Sequence, residues 1–453
     1  MKKFLLFAVD LLALYAALVF TLFLRYGEQF QAQYDKQLYP FLPIFILWVL
    51  VFYIANLYEP RQLRNNVFFY SSLFQAIAIA TGVSVIFFYI IPAYIITPKT
   101  NLVLFVAIFA GLEFLLRYSF NNTFEKGSKK SVLIVGANAQ ALELAKFIKE
   151  NPHLGYKLSY VVDLTPGIMS GVENELERFG IVQGVSNIGH VIKENDINTV
   201  VLSPEAYKTP EVIDIFYKSL GKKINFYNLS SLYEQLTGKV PLGAIDQIWF
   251  LENLSEGNKR FYETLKQLSD VVLGTIFGTI SLVFYPFIII AMQLDSPGPI
   301  FYSQTRVGRF GKTFKLVKFR NMIPNAEAKT GAVWASDNDP RITRVGRFLR
   351  KTRLDEIPQL WTVVKGEMSL VGPRAERPEF NKTLEHIPFF EERYLVKPGL
   401  TGWAQINFRY GASVSDAEEK LKYDLYYIKN RSLILDLGII LKTIRIMLMR
   451  EGK

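Results

Sequence analysis

Four long apolar segments fill the first quarter of the chain and constrain its fold more than any other feature. They cover residues 4–24, 41–57, 67–91 and 102–116. Most of them approach the roughly 20 residues that a helix needs to cross a bilayer. The first segment stays bulky throughout and lacks the small-residue cleavage site of a signal peptide. We therefore expect a membrane protein with a four-helix transmembrane bundle at residues 1–120.

The basic residues predict how this bundle is oriented. They lie at both ends of the bundle and in the loop between its second and third segments: Lys2, Lys3, Arg61, Arg64, Lys126, Lys129 and Lys130. The loops at 25–37 and 92–99 are poorer in them, and positive residues stay on the cytoplasmic side of a membrane. Both ends of the bundle are therefore predicted to be cytoplasmic.

Two ionisable residues, Asp10 and Glu113, lie within these apolar stretches. A charge in a membrane helix is costly unless it is paired. A functional role is one interpretation. The interpretation that we favour is structural, with a partner inside the bundle or a position near the interface.

Composition agrees with several domains and a membrane location. The chain has 453 residues, of which 50% are hydrophobic, and is too long for one ordinary core. Its formal net charge of +11 suits nucleic acid or an anionic membrane surface, and the apolar segments favour the membrane, with no nucleic acid. The absence of cysteine excludes disulfides, thiolate catalysis and cysteine-ligated metals.

In residues 128–232 the sequence pattern changes to one that predicts alternating strands and helices. Strands are predicted at 131–136, 158–163, 199–202 and 224–227, and helices at 139–150, 189–194 and 210–220. This order predicts a Rossmann-like α/β domain. A dinucleotide site is the sharper hypothesis, but residues 136–141 (GANAQA) keep only the first glycine of the fingerprint, and Asn138 would obstruct a pyrophosphate. We interpret the domain as an accessory one, with a regulatory or structural role.

Residues 233–258 read as a linker, because Pro241 and Gly243 interrupt any regular element. The aromatic residues Trp249 and Phe250 in this segment leave a second interpretation, a contact between subunits.

A further apolar run at 271–292 predicts a membrane element at 264–294. Basic residues flank it on both sides, which is the cytoplasmic signature at both ends. Pro286 inside the run bends the helix. A re-entrant helix that enters and leaves on the same face reconciles both facts. The alternative, a kinked ordinary span, would leave the basic remainder of the chain outside the cell.

An acidic pair, Asp355 and Glu356, precedes a short helix that Pro358 begins and Gly366 ends. The N-terminus of a helix favours negative charge. Nearby arginines and lysines match phosphate oxygens: Arg350, Lys351, Arg353 and Arg374. The pair could supply a nucleophile and a Mg²⁺ ligand, or Asp355 could cap the helix while Glu356 pairs with an arginine. Residues 314–320 predict a half-buried strand or part of a phosphate-binding wall. Arg320 could point to the site or equally lie on a solvated face.

Three blocks, at 354–361 (LDEIPQLW), 365–374 (KGEMSLVGPR) and 397–405 (KPGLTGWAQ), resemble the bacterial sugar transferase family of polyprenyl-phosphate phosphoglycosyl transferases. The resemblance covers residues 259–453 and implies an α/β catalytic domain with a re-entrant helix. Amphipathic surfaces at 341–350 and 433–449 are expected to lie in the membrane interface.

The resemblance also implies residue roles. Asp355 is the expected nucleophile and Glu356 the expected Mg²⁺ ligand. Arg350, Arg374 and Arg409 are expected to bind the diphosphate or nucleotide, with Arg353 as a neighbouring donor. The family bends its re-entrant helix at a Ser-Pro pair, which is Tyr285-Pro286 here, and its usual proline after Arg374 is Ala375.

The implied activity is transfer of a sugar 1-phosphate from a UDP-sugar to polyprenyl (undecaprenyl) phosphate. The products are a polyprenyl-diphospho-sugar and UMP, formed through an aspartyl-phosphosugar. This is the first membrane step of exopolysaccharide, capsule or O-antigen synthesis, and it implies a catalytic domain on the cytoplasmic face of the bacterial inner membrane and a homodimer. Two alternatives are a membrane-anchored NAD-dependent nucleotide-sugar dehydratase and a non-catalytic platform for polysaccharide assembly.

Overall fold

A computed structural model describes residues 2–90, 99–127, 129–164, 180–221, 223–254, 259–324, 326, 339–408 and 413–448. The chain divides into two compact units, Met1–Asn228 and Leu229–Lys453, and each is described by itself.

The first unit begins with a bundle of long helices. They are α1 (Lys2–Tyr26), α2 (Phe30–Ile54), α3 (Val67–Ile90) and α4 (Lys99–Lys126). Each lies in a stretch long and apolar enough to cross a membrane, with α1 and α2 in one stretch, and the chain is therefore a membrane protein. α2 begins eleven residues before the predicted segment and continues through Pro40 and Pro43. Transmembrane helices tolerate proline because neighbouring groups satisfy the freed backbone.

The two ionisable residues of the bundle have a structural partner, as expected. Arg117 of α4 donates to Asp10 of α1 at 2.6 Å and to Glu113 at 2.5 Å. Arg117 also donates to the carbonyl oxygen of Leu57 at 3.0 Å, in the turn after α2. This buried ionic cluster ties α1, α4 and that turn together.

The rest of the first unit is a parallel sheet with helices. Its elements are β1 (Lys130–Val135), α5 (Ala139–Glu150), β2 (Tyr156–Asp163), β3 (Ile181–Gln183), α6 (Ile188–Glu194), β4 (Thr199–Leu202), α7 (Pro204–Tyr207), α8 (Pro210–Tyr217) and β5 (Asn225–Asn228). All strand pairs are parallel, in the order β3-β2-β1-β4-β5. This is the order of the first five strands of a Rossmann sheet, as the sequence predicts.

The glycine loop of this sheet is occupied by the protein's own side chains. Asn138 accepts from the backbone of Ala141 at 2.8 Å and caps α5, while its amide donates to the carboxylate of Glu205 at 3.0 Å. A Cβ on Gly136 would lie 1.8 Å from Oγ of Ser203, so packing alone requires this glycine. The carboxylate of Glu205 beside the start of α5 disfavours a pyrophosphate there.

The second unit combines helices with short sheets. Its elements are α9 (Leu229–Thr237), α10 (Gln247–Asn253), α11 (Arg260–Ser281), α12 (Tyr285–Asp295), β6 (Phe301–Val307), β7 (Thr313–Phe319), α13 (Arg344–Thr352), α14 (Gln359–Val364), β8 (Ser369–Val371), α15 (Pro378–Leu384), β9 (Gly399–Thr401), α16 (Trp403–Asn407), α17 (Val414–Asn430) and α18 (Leu433–Leu448). β6 and β7 form an antiparallel hairpin, and β8 pairs in parallel with β9.

The segment predicted as a linker packs into the core of this unit. Trp249 is 8% exposed and belongs to the same apolar cluster as Val240. Phe250 packs against the ring of Phe389, with centroids 4.8 Å apart. Gly238 accepts a hydrogen bond from the Trp403 indole at 2.9 Å. Trp249 and Phe250 thus both pack within this unit.

The predicted membrane element is two helices separated by a 3-10 turn, Leu282–Phe284. Pro286 stands in the first turn of α12, where proline is tolerated. The hydroxyl of Ser281 donates to the carbonyl oxygen of Gly278 at 2.6 Å. The stretch Arg260–Asp295 is also long and apolar enough to cross a membrane.

Both helices of this element pack against the same unit and leave an apolar face outside. A Cβ on Gly278 of α11 would lie 3.3 Å from the Trp361 ring, whereas Ile288 and Met292 of α12 pack with Phe319 and Leu349. The exposed apolar side chains on α11, α12, α13, α18 and the 3-10 turn include Leu268, Ile276, Ile280, Val283, Phe287, Ile290, Leu294, Phe348, Ile434 and Leu437.

A buried carboxylate attaches α11 to the sheet. Oδ1 of Asp270 accepts from the backbone N–H of Leu370 in β8 at 3.0 Å, and both residues are buried.

Asp270→Ala should destabilise the protein by about 1–3 kcal/mol, because the Leu370 N–H is left buried without an acceptor. Thermal unfolding in detergent measures this. Asp270→Asn keeps an acceptor oxygen and should lose less, and equal losses in the two variants would contradict the explanation.

Candidate active site

The second and third sequence blocks meet at β8 and β9. The N–H of Gly372 donates to the carbonyl oxygen of Thr401, and that of Gly399 to the carbonyl oxygen of Pro373, each at 2.8 Å. A Cβ on Gly399 would lie 2.0 Å from the backbone nitrogen of Gly372. The glycines of the two blocks therefore serve a close backbone approach, which fixes the loop that carries Arg374.

The acidic pair lies in a 3-10 turn, Leu354–Glu356, just before α14. Arg353 begins this turn with a φ of +57°, a left-handed conformation that reverses the chain after α13. The carboxylates thus lie just before the short helix, where the sequence predicts them, and form a 3-10 turn of their own. The Asp355 side chain is buried, and its Oδ2 accepts from the amide of Asn321 at 2.8 Å.

Asn321 is itself held in place by α13. Its carbonyl oxygen accepts from the N–H of Thr343 at 3.2 Å. A Cβ on Gly346 would lie 2.0 Å from that same oxygen, so a glycine is required there. α13 therefore positions the residue that orients Asp355.

Glu356 is held by arginines. Arg374 donates to its Oε1 at 2.7 Å, and Nη1 of Arg353 lies 3.9 Å from its Oε2. Burial alone would raise the pKa of Glu356, but the charges of Arg374 and Arg353 outweigh burial and lower it. Glu356 is therefore ionised at neutral pH.

The pKa of Asp355 is shifted the other way. Burial and the neighbouring charge of Glu356 raise it from its usual value to about 6, while Lys318, the amide of Asn321 and Arg374 act against the rise. Asp355 is thus mostly ionised at neutral pH and gains a proton as the pH falls through about 6. The two adjacent carboxyls differ in basicity because, of the two, only Glu356 accepts a hydrogen bond from an arginine.

Lys318 belongs to this site, although the sequence analysis did not single it out. It lies on β7, is half-buried, and interacts electrostatically with Asp355 and Glu356. Burial lowers its pKa, as do the charges of Arg306 and Arg374, while Asp355 opposes the change. The signal in the sequence was the alternation of basic and apolar residues at 314–320.

Arg374 is oriented by a second layer of charged residues. Its carbonyl oxygen accepts from Arg393 at 3.1 Å, and Arg393 in turn donates to Asp424 at 2.8 Å. Arg306 on β6 donates to the carbonyl oxygen of Ala375 at 3.0 Å. The side chain of Arg374 is 43% exposed and so is accessible to a substrate.

The other predicted residues are more dispersed. Arg320 donates to the carbonyl oxygen of Pro299 at 2.6 Å and to Ser296, and these bonds close the loop after α12. The neighbouring residue Asn321, and not Arg320, contacts Asp355. Arg350 lies half-buried in the last turn of α13 and acts electrostatically on Asp339. Arg409 lies outside the described residues.

The described residues contain no group of three or more His, Cys, Asp or Glu side chains that could hold a metal ion. Asp355 and Glu356 therefore offer at most two carboxylates. Mg²⁺ is commonly held by one or two carboxylates together with substrate phosphates, so the donor set fits this ion only when a diphosphate supplies the remaining oxygens.

Comparison with known proteins identifies the family. The family model described as bacterial sugar transferase matches residues 261–450. A UDP-galactose-lipid carrier transferase from Erwinia amylovora is 33% identical over 356 residues, which cover 72% of this chain and 69% of that protein. The chain belongs to the bacterial sugar transferase family.

Two further relatives agree with this assignment. A UDP-N-acetylgalactosamine-undecaprenyl-phosphate N-acetylgalactosaminephosphotransferase from Aeromonas hydrophila is 41% identical over 233 residues, 51% of this chain and 53% of the relative. The alignment thus spans about half of that relative. A UDP-glucose:undecaprenyl-phosphate glucose-1-phosphate transferase from Xanthomonas campestris pv. campestris is 30% identical over 347 residues, 73% of this chain and 69% of the relative.

Asn321→Ala should raise the pKa of Asp355 above its present value of about 6, because the hydrogen bond from Asn321 favours the ionised carboxylate. The protonated form would then persist to higher pH. Carboxyl ¹³C NMR against pH, with Asp355→Asn for assignment, measures the midpoint. Asn407→Ala, at an exposed asparagine of the same unit, is the control. An unchanged midpoint in Asn321→Ala would show that Asn321 has no electrostatic effect on Asp355.

Proposed function

We propose that this protein transfers a sugar 1-phosphate from a UDP-sugar to polyprenyl phosphate, most simply undecaprenyl phosphate. The observation that carries the proposal is the buried acidic pair beside Lys318 and Arg374, within the residues that match the family model. The names of the relatives support the substrate classes, a UDP-sugar and an undecaprenyl phosphate or other lipid carrier.

In the first step, a carboxylate oxygen of Asp355 attacks the sugar-bearing phosphorus of the UDP-sugar. Its Oδ2 is engaged by Asn321, so the attack falls to Oδ1. A bond forms between this oxygen and phosphorus, the phosphoanhydride bond breaks, and UMP leaves with the bonding electrons. The result is an aspartyl-phosphosugar.

In the second step, a phosphate oxygen of the polyprenyl phosphate attacks the same phosphorus. The bond to Asp355 breaks, which regenerates the carboxylate and releases polyprenyl-diphospho-sugar. Two displacements at one phosphorus need no general base, because both attacking groups are already anions. The raised pKa of Asp355 makes its carboxylate a better nucleophile while it stays mostly ionised at neutral pH.

The cations around the pair neutralise the phosphoryl group in both steps. Lys318 and Arg374 lie on opposite elements, β7 and the loop after β8, and Arg374 is partly exposed. Fixed charges placed where negative charge develops lower the barrier without reorganisation. Arg350, Arg353 and Arg409 are proposed as further diphosphate contacts.

Mg²⁺ is part of the proposal. Glu356, with Asp355 beside it, would hold the ion together with diphosphate oxygens. The ion would neutralise diphosphate charge when bound. Binding at Glu356 would require Arg374 to turn from its 2.7 Å contact with Oε1 toward the substrate.

The membrane element is proposed to be re-entrant, on the cytoplasmic face of the bacterial inner membrane. A straight helix of 36 residues would be about 54 Å long and would place its ends on opposite sides of a bilayer. Here both ends are bonded to the same folded unit. Lys266 near the start pairs with Asp436 at 2.8 Å, and Asp295 at the end accepts from the N–H of Val345 at 2.8 Å.

Asp355→Asn should lower UMP release from UDP-sugars by at least about 1,000-fold, because an amide is a poor nucleophile. The wild-type protein, given a UDP-sugar without polyprenyl phosphate, should carry one phosphosugar on Asp355. UMP is measured by chromatography and the adduct by peptide mass spectrometry, with UDP-glucose, UDP-galactose and UDP-N-acetylgalactosamine as donors.

The matched control is Glu385→Gln, which neutralises an exposed carboxylate of the same unit and should leave UMP release unchanged. An Asp355→Asn protein that releases UMP at nearly the wild-type rate would remove this residue from the mechanism. UMP release also separates the proposal from a dehydratase or a non-catalytic platform, neither of which forms UMP.

Single cysteines test the re-entrant topology cleanly, because the natural chain has none. Glu252→Cys before the element and Lys312→Cys after it are both exposed positions. Both should resist a membrane-impermeant maleimide in whole cells and react after the membrane is opened. Glu28→Cys, between α1 and α2, should react in whole cells. Labelling of Lys312→Cys alone from outside would indicate an ordinary span.

A further inference from the structure

The buried ionic cluster of the transmembrane bundle carries charges that do not balance. Asp10 and Glu113 both bind the guanidinium of Arg117, and the three side chains are at most 1% exposed. Two carboxylates and one guanidinium leave one net negative charge inside the bundle. An uncompensated charge in that position is strongly unfavourable.

Two oxygens of this cluster have no hydrogen-bond donor. Oδ1 of Asp10 and Oε2 of Glu113 are buried and without a partner in the described part of the chain. The carboxyl groups of Asp10 and Glu113 also face each other. A pair of facing carboxyls cannot readily ionise twice and commonly shares one proton. One proton would remove the excess charge and give both oxygens a hydrogen bond.

A third side chain points into the same place. Tyr58, in the turn after α2, is 5% exposed, and the guanidinium of Arg117 lies 5.4 Å from its ring centre. Its hydroxyl is buried and faces Asp10, but within the described residues it has no partner at ordinary hydrogen-bond geometry. This hydroxyl is available to a carboxyl group in either protonation state.

The groups that face the cluster come from every element packed around it. α1 supplies Asp10, α4 supplies Glu113 and Arg117, and the turn after α2 supplies Tyr58. Arg117 is the one cation at ion-pair distance from either carboxylate among the described residues. In that part of the chain the second carboxylate therefore has no cation of its own.

We propose that Asp10 and Glu113 share one bound proton at neutral pH, so that the bundle contains a proton site organised by Arg117. The proton completes the connection between α1 and α4. It leaves as the pH rises, and repulsion between the two carboxylates then weakens that connection. The site is independent of the transferase proposal, because it uses none of the same residues.

Infrared spectroscopy of the full-length protein in liposomes tests the proposal. A protonated carboxyl has its own C=O band, which shifts in D₂O. At about pH 7, carboxyls such as Asp355 and Asp424, with pKa values of about 6, are mostly ionised. The wild-type spectrum should retain the band. Asp10→Asn and Glu113→Gln should each abolish it, since one carboxylate then pairs one-to-one with Arg117.

The control is Glu28→Gln, at an exposed carboxylate of the same unit, which should leave the band unchanged. A wild-type protein without the band overturns the proposal, and so does a band that survives in both variants. The presence or absence of the band in the wild-type protein tests the proposal even where a variant fails to insert into the membrane.

Thermal unfolding gives a second readout. The wild-type unfolding temperature should fall more steeply above neutral pH than that of Glu113→Gln, which has no proton to lose at this site. Replacing Na⁺ by K⁺ or choline should change neither curve. A wild-type protein that lacks the band and is stabilised specifically by Na⁺ would assign the site to a metal cation and not to a proton.

Discussion

A buried carboxylate requires compensating groups, and the second unit is built around that requirement. Asp355 is 6% exposed and directly bonded to one uncharged side chain, Asn321, so its charge depends on Lys318 and Arg374 nearby. These same cations are what a diphosphate needs. The burial of Asp355 and the cations that could bind a phosphate are therefore parts of one arrangement. A substrate that binds these cations withdraws support from the carboxylate and leaves it more reactive.

The membrane element is mechanically connected to this arrangement. α14 begins three residues after Glu356 and packs against α11, with Trp361 beside Gly278 and Leu360 beside Gly274. On the other side, α12 packs against Leu349 of α13, the helix that holds Asn321. A lipid phosphate lies at the level of the head groups. With the element re-entrant as proposed, these contacts would hold Asp355 at a fixed depth relative to the head groups.

The sequence predicted the elements that have a clear apolar pattern, but it did not predict contacts between residues far apart in the chain. The apolar segments and the longer strands of the sheet were found, whereas β3, Ile181–Gln183, is too short to show a pattern. The alternation of basic and apolar residues at 314–320 indicated Arg320 as a possible part of a phosphate-binding wall. However, β7 ends at Phe319, so alternation no longer applies, and Asn321 reaches Asp355, 34 positions away. Only the fold reveals that pairing.

Two adjacent carboxyls on one turn would be expected to behave alike, and their neighbours prevent this. Arg374 and Arg353 hold Glu356 ionised, and its fixed charge then raises the pKa of Asp355. The ionised Glu356 thus makes Asp355 more basic, although the charge of Arg374, acting directly on Asp355, opposes that rise. A more basic carboxylate is a better nucleophile, and at about 6 its pKa still leaves it mostly ionised at neutral pH. Glu356 therefore raises the pKa of Asp355 through its charge even before any metal or substrate binds.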